Sequence, residues 1–154
     1  MIRYSSTHTS NRPPPVVFEA LLDPARYGQW TEMQGSAWDG DGPVRVGTTG
    51  SFRMAGGPFA GALRMEVIEL EPTRRFVARV THPKFDWLAT SQLEPQGAGT
   101  RITYAGEIRF KGVQRLLEPF IRGEVARGEA KEVERLKALL EKTSTSTATA
   151  PGAR

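Results

Sequence analysis

The 154-residue sequence predicts an α+β domain in which an antiparallel sheet is followed by one long C-terminal helix. Three observations predict it. Between Val44 and Phe110, short segments of alternating polarity are separated by Gly- and Pro-containing turns, as in a meander. From Val113 to Glu141 the apolar period changes to that of a helix. Between residues 13 and 30, a Pro-rich opening and a central Asp23-Pro24 frame two short helices.

The elements follow in order. Ile2 to Asn11, with Tyr, Ser and Thr in weak alternation, reads as the first strand. Pro13-Pro14-Pro15 fixes φ and opens a helix that pairs Val17 with Leu21 and Phe18 with Leu22 at i, i+4 spacing. Asp23-Pro24 ends it, because the residue before a proline is driven out of the helical region. Pro24 to Trp30 reads as a second short helix. Five strands are expected next, over Val44–Met54, Gly61–Leu70, Arg75–Thr81, Phe85–Leu93 and Thr100–Phe110. Turns are expected at Gly56-Gly57-Pro58, Pro72-Thr73, Pro83 and Gln96–Gly99.

In the last segment Val113, Leu116, Leu117, Phe120, Ile121, Val125, Val133, Leu136, Leu139 and Leu140 mark one broad apolar face. Pro119 is expected to kink or restart the helix. The closing TSTSTATAPGAR has no large apolar side chain to offset chain entropy, so residues 143–154 read as a disordered tail and 1–142 as a single domain.

Composition removes several chemistries. There is no Cys, so disulfides, thiolate metal sites and cysteine nucleophiles are out. His8 and His82 are the only histidines, and no metal motif can be drawn from them. The net charge is +4, but the bases are dispersed among Glu and form no dense cluster. The expectation is therefore no nucleic-acid partner. No segment has the length and apolarity of a membrane span, so no stable membrane insertion is expected. The polar start of the chain and the absence of Cys give a cytoplasmic location as the default. No paired carboxylates, nucleophile elbow or phosphate-cradling loop are recognisable.

Alternation assigns faces to the strands. Thr48, Phe52 and Met54 share one face, as do Leu63, Met65 and Val67, then Phe76, Ala78 and Val80. Phe85, Trp87, Ala89, Ser91 and Leu93 follow, then Ile102, Tyr104, Ile108 and Phe110. The opposite parity carries Arg53, Arg64, Glu66, Arg79, Asp86, Arg101 and Glu107 and reads as solvent-facing. Ile68 and Leu70 break the parity of Val67 and point to a β-bulge beside it.

PPPVVFEALLDPARYGQW, VRVGT, IELEPTRRFVARV and LEPQGAGTRITYAGEIRFKG, followed by a helix ending LKALLE, resemble the SRPBCC or START-like (Bet v 1-like) superfamily. The likeness covers residues 1–142 and is strongest to its bacterial polyketide cyclase/dehydratase and lipid-transport group. It implies a helix-grip fold, in which a curved sheet wraps around the long helix and encloses an apolar cavity. It implies no shared catalytic triad. With such a cavity, Phe52, Met54, Met65, Phe76, Trp87, Ser91, Tyr104, Leu117, Phe120 and Ile121 are expected to meet the ligand. Leu117, Phe120 and Ile121 are expected to face Trp87 and Tyr104.

Tyr104 and His82 are the catalytic candidates, as a hydroxyl that could move a proton and an imidazole that could act as a base. His82 precedes Pro83 and is expected at an exposed strand end, and His8 at the surface without a partner. Trp30 and Trp38 are expected to anchor the short helices to the sheet. The leading functional expectation is binding or carriage of a small hydrophobic, lipid- or polyketide-like molecule, without a metal or other cofactor. A cofactor-independent cyclase/dehydratase is the alternative. A protein-interaction module is a further one, to be marked by a cluster of exposed apolar residues. The sequence leaves the oligomeric state open.

Overall fold

The computed structural model describes residues 1–56 and 59–149, with side chains described as far as Lys142. Strand β1 (Ile2–Ser10) leads to α1 (Pro14–Leu22), a 3-10 turn (Pro24–Arg26) and α2 (Tyr27–Trp30). Six strands follow: β2 (Met33–Trp38), β3 (Thr49–Met54), β4 (Gly61–Glu71), β5 (Arg75–His82), β6 (Phe85–Gln96) and β7 (Gly99–Phe110). A second 3-10 turn (Gly112–Leu117) opens into the long helix α3 (Glu118–Thr149).

All seven strands join one antiparallel sheet in the order β1-β7-β6-β5-β4-β3-β2. The first strand pairs with the last, Ile2 opposite Ile108 and Ser10 opposite Thr100. The sheet is curved, and α3 lies over β1 and β7 on its inner face. The expected inner-face parity holds on β4 to β7, where Leu63, Met65, Val67, Phe76, Val80, Phe85, Leu93, Ile102 and Ile108 are all buried. The expected bulge is present as a register shift between Val67 and Glu69. Past it Leu70 comes opposite Phe76 and packs against the core, while Ile68 is half-buried.

Several expectations are corrected. Val44–Met54 is not one strand: β3 starts at Thr49, and Thr48 sits in the preceding turn, where its hydroxyl accepts from the Arg45 N–H at 3.0 Å. Strand β2 was unforeseen. Its Gln, Gly and Ser give little strand signal, and a register shift between Gln34 and Ala37 interrupts its alternation. Val113, Leu116 and Leu117 do not lie on the core face of the long helix. They belong to the 3-10 turn and are exposed, as is Phe120. Pro119 stands in the first turn of α3, where its missing N–H costs no helical bond, so it starts the helix.

The buried side of α3 runs through Val125, Glu132, Val133, Leu136 and Leu140. The α3 backbone is helical as far as Thr149, beyond the end of the expected domain at residue 142. Residues 150–154 of the expected tail lie outside the described residues, as do Gly57 and Pro58 of the expected turn.

Candidate functional site: an apolar cavity beneath the short helices

A cavity of about 50 Å³ lies between the inner face of the sheet and the short helices. Phe52, Met65, Phe76, Trp87, Ser91 and Tyr104, all expected from strand parity, line it. They meet because β3 to β7 are successive neighbours in the sheet, so one parity on each converges on one space. Ala78 and Ala89 leave room in the floor, and Leu21, Tyr27, Trp30, Thr31 and Met33 form the roof.

The roof hydroxyls are engaged within the protein. Tyr27 donates to the Leu21 carbonyl at 2.6 Å. Thr31 donates to the Tyr27 carbonyl at 2.7 Å and accepts from the Met33 N–H at 3.0 Å. Trp30 differs: its indole N–H is buried and has no partner. Trp38 does the anchoring expected of it, donating to the Leu22 carbonyl at the end of α1 at 2.8 Å.

The four other expected ligand contacts fall elsewhere. Met54 and Ile121 line a second cleft of about 240 Å³, between α3 and the segment that joins β3 to β4. Leu117 and Phe120 face away from Trp87 and Tyr104, with Phe120 81% exposed. The helical register explains this. One turn further on, Val125 is the first apolar residue of α3 to enter the core.

The sequence reading missed two buried glutamates that line the neighbouring cleft, behind Tyr104. Glu129 and Glu132 lie on the buried side of α3, and each has a carboxylate oxygen shut off from solvent without a partner. Burial raises the pKa of Glu129 to about 7, and hydrogen bonding from Tyr104 and Tyr4 opposes the rise. Glu132 is also raised, first by burial and then by the charge of Glu129. Tyr4 and Tyr104 are themselves pushed well above the ordinary phenol range, first by burial and then by Glu129. Both hydroxyls therefore stay protonated as donors. A signal was available: the core positions Val125, Val133, Leu136 and Leu140 define a helical stripe that passes through 129 and 132.

The two histidines have other surroundings than expected. His82 does stand at the end of β5, but it is buried, 7% exposed, and stacked on Phe85. Its Nδ1 accepts from the Lys84 N–H at 3.1 Å, so Nε2 carries the proton and donates to the Ala60 carbonyl at 3.0 Å. Both ring nitrogens are thus committed to backbone, and His82 lines neither cavity. His8 is not a bare surface residue. Its Nδ1 lies 2.5 Å from a Glu134 carboxylate oxygen, and its Nε2 lies 2.8 Å from the Ser6 hydroxyl. It ties β1 to α3. Tyr104, in contrast, is at the cavity wall beside a carboxylate.

A curved antiparallel sheet closed by a long C-terminal helix over an apolar cavity defines the Bet v 1-like, helix-grip class. The chain belongs to the polyketide cyclase / dehydrase and lipid transport family, whose model matches residues 1–141. Among curated proteins no sequence match is found. Similar solved structures include TTHA0849 from Thermus thermophilus, at 15% identity and a TM-score of 0.74, covering 92% of this chain and 99% of that one. Ara h 8.0201 is similar at 13% identity and a TM-score of 0.69, covering 91% and 97%. DynU16, a protein in the dynemicin biosynthetic locus, is similar at 19% identity and a TM-score of 0.66, covering 92% of this chain and 48% of that one. At these identities the likeness is one of fold. Among the described residues no helix is long and apolar enough to cross a membrane, and no group of His, Asp or Glu side chains is placed to hold a metal ion.

Proposed function

We propose that the protein binds a small, largely apolar molecule carrying a hydrogen-bond acceptor in the cavity beneath α2. The observation that carries the reading is the cavity wall, where Phe52, Phe76 and Trp87 enclose an apolar space that the Ser91 and Tyr104 side chains also line. The apolar body of the ligand would meet the three rings, and its acceptor would take a hydrogen bond from one of the hydroxyl-bearing side chains. Family membership supports ligand binding in general terms.

Size sharpens the ligand class. Pockets for drug-sized ligands hold roughly 300–1,000 Å³, against about 50 Å³ here. The cavity suits a short carbonyl-bearing fragment as it stands, and a small ring, which fits a cavity of roughly 150 Å³, once the flexible Met33 and Met65 side chains in its wall shift. A long-chain lipid would require α3 or the segment between β3 and β4 to move. Native mass spectrometry of the protein purified from its own host tests the reading. A co-purifying small aromatic or carbonyl compound is expected, and a stoichiometric long-chain lipid would contradict the size argument.

A second reading, a cofactor-independent enzyme of the cyclase/dehydratase type, is favoured by one specific observation. Tyr104 lines the cavity, and behind its protonated hydroxyl stands Glu129, which lines the neighbouring cleft and whose pKa burial raises to about 7. In that arrangement the Tyr104 hydroxyl would donate to a ligand carbonyl and pass its proton demand to Glu129 behind it. Turnover that collapses in Tyr104→Phe and Glu129→Gln, with ligand affinity retained, would favour this reading over carriage. The exposed cluster of Val113, Leu116, Leu117 and Phe120 is the feature expected of an interaction module. Association lost on Phe120→Ser would support that role.

A further inference from the structure

Four large apolar side chains stand in water where β7 leads into α3. Val113, Leu116 and Leu117 in the 3-10 turn and Phe120 in the first turn of α3 are 76%, 74%, 41% and 81% exposed. Their i, i+3, i+4, i+7 spacing sets them along one side of the helical segment. The side that docks on the fold carries Glu118, whose two carboxylate oxygens accept from the chain's amino terminus and from the Phe110 N–H. A contiguous exposed apolar cluster of this kind marks a contact surface.

The charges that flank the stripe are basic. Lys111, Arg115, Arg122 and Arg127 are exposed on the same stretch, against Glu124 as its one exposed acid, because Glu118 is buried and paired with the amino terminus. Arg115 and Arg122 make no ion pair among the described residues. Lys111 reaches Asp86 at 3.0 Å, and its N–H donates to the Lys84 carbonyl at 2.8 Å. That bond brings the turn between β5 and β6, with the exposed Lys84, to the same end of the sheet. At such high exposure, Val113, Leu116 and Phe120 stand clear of the surface and line no groove. Free-standing apolar side chains flanked by cations match a bilayer surface. Its acyl layer takes them without a preformed pocket, and its anionic headgroups take the cations.

We propose that this end of the molecule docks on an anionic lipid surface, with Val113, Leu116, Leu117 and Phe120 in the interfacial layer and Arg115 and Arg122 at the headgroup phosphates. The contact is peripheral, since the stripe is one short segment and far below the length of a membrane span. The proposal rests on the interaction reading of this cluster and gives it a partner. It is independent of the ligand of the inner cavity, which uses other walls.

The test is co-sedimentation of the full chain with vesicles of phosphatidylcholine alone and of phosphatidylcholine mixed equally with phosphatidylglycerol. At low salt the anionic vesicles are expected to bind about tenfold or more tightly than the neutral ones, and added salt should weaken that binding. Leu116→Ser/Phe120→Ser should lower it about tenfold or more with the melting temperature unchanged, because both side chains already stand in water. Arg122→Gln should lower it about fivefold. Phe120→Trp gives a second readout: its emission should shift to the blue on anionic vesicles, and an unchanged spectrum would overturn the proposal. Binding that persists in Leu116→Ser/Phe120→Ser would be adsorption by net charge and would overturn it too, as would equal binding to both vesicles or none to the anionic ones. Self-association that Phe120→Ser abolishes, in a chain that ignores both vesicles, would overturn it in favour of a second copy and leave the interaction reading standing.

Discussion

Trp87 donates its indole N–H to the Tyr4 hydroxyl at 2.9 Å, although β6 and β1 are separated by β7. The bond can reach across because the residue between them is Gly106, which pairs with Tyr4 on one side and Ala89 on the other. A Cβ at 106 would lie 2.4 Å from the Tyr4 hydroxyl and 2.7 Å from the Leu88 carbonyl oxygen. Tyr4 in turn serves Glu129 on the helix. One glycine thus lets the first strand, the sheet and the long helix share a polar contact at the cavity wall.

Gly106→Ala should therefore destabilise the protein by about 2–3 kcal/mol, because one of the two overlaps is with backbone that cannot turn aside. Urea unfolding checks this. A loss under about 0.5 kcal/mol would show that Tyr4 has another place to go.

The buried glutamates set the direction of the pH dependence. Both have folded-state pKa values raised above the unfolded value, so the folded state holds their protons more tightly. Stability should then fall as pH rises from about 4.5 through about 7, with an amplitude on the order of 1–3 kcal/mol. Asp39, Glu118 and Glu134 act in the opposite sense. Hydrogen bonds from Arg64, the chain's amino terminus and His8 respectively hold them low, so their contribution is lost only at more acid pH. The stability maximum is expected on the acid side of neutrality. Melting curves across that range should flatten in Glu129→Gln/Glu132→Gln.

The register of α3 gives a paired prediction. Leu136 is fully buried, so Leu136→Ala should cost about 2–5 kcal/mol. Phe120 is 81% exposed, so Phe120→Ser should change stability by less than about 0.5 kcal/mol. The reverse order of effects would restore the register that places Phe120 in the core.

Much of this was readable in the residues, for physical reasons that can be named. The faces of β4 to β7 follow from strict alternation of large apolar and charged side chains, and even the bulge showed itself where Ile68 and Leu70 break step with Val67. Edge strand β2 escaped because Gln34, Gly35 and Ser36 bury little and carry no alternation. Glu129 and Glu132 escaped because charge was read as a sign of solvent, although the stripe from Val125 to Leu140 runs through them. His82 escaped in the opposite way. Its buried position depends on the Ala60 carbonyl, a partner 22 residues away that no local pattern reveals.

The most direct test of the central claim is a titration followed by NMR at the Trp30 and Trp87 indole N–H groups and the Ala78 and Ala89 methyl groups, all of which line the inner cavity. With p-cresol as the probe, saturable shifts are predicted at these positions, and they should vanish in Ala78→Leu while the domain stays folded. Decanoate should not reproduce them, because its chain needs far more space than a shift of the Met33 and Met65 side chains can add to a cavity of about 50 Å³. No saturable shift at these four residues with p-cresol, or the same shifts with decanoate, would contradict the account.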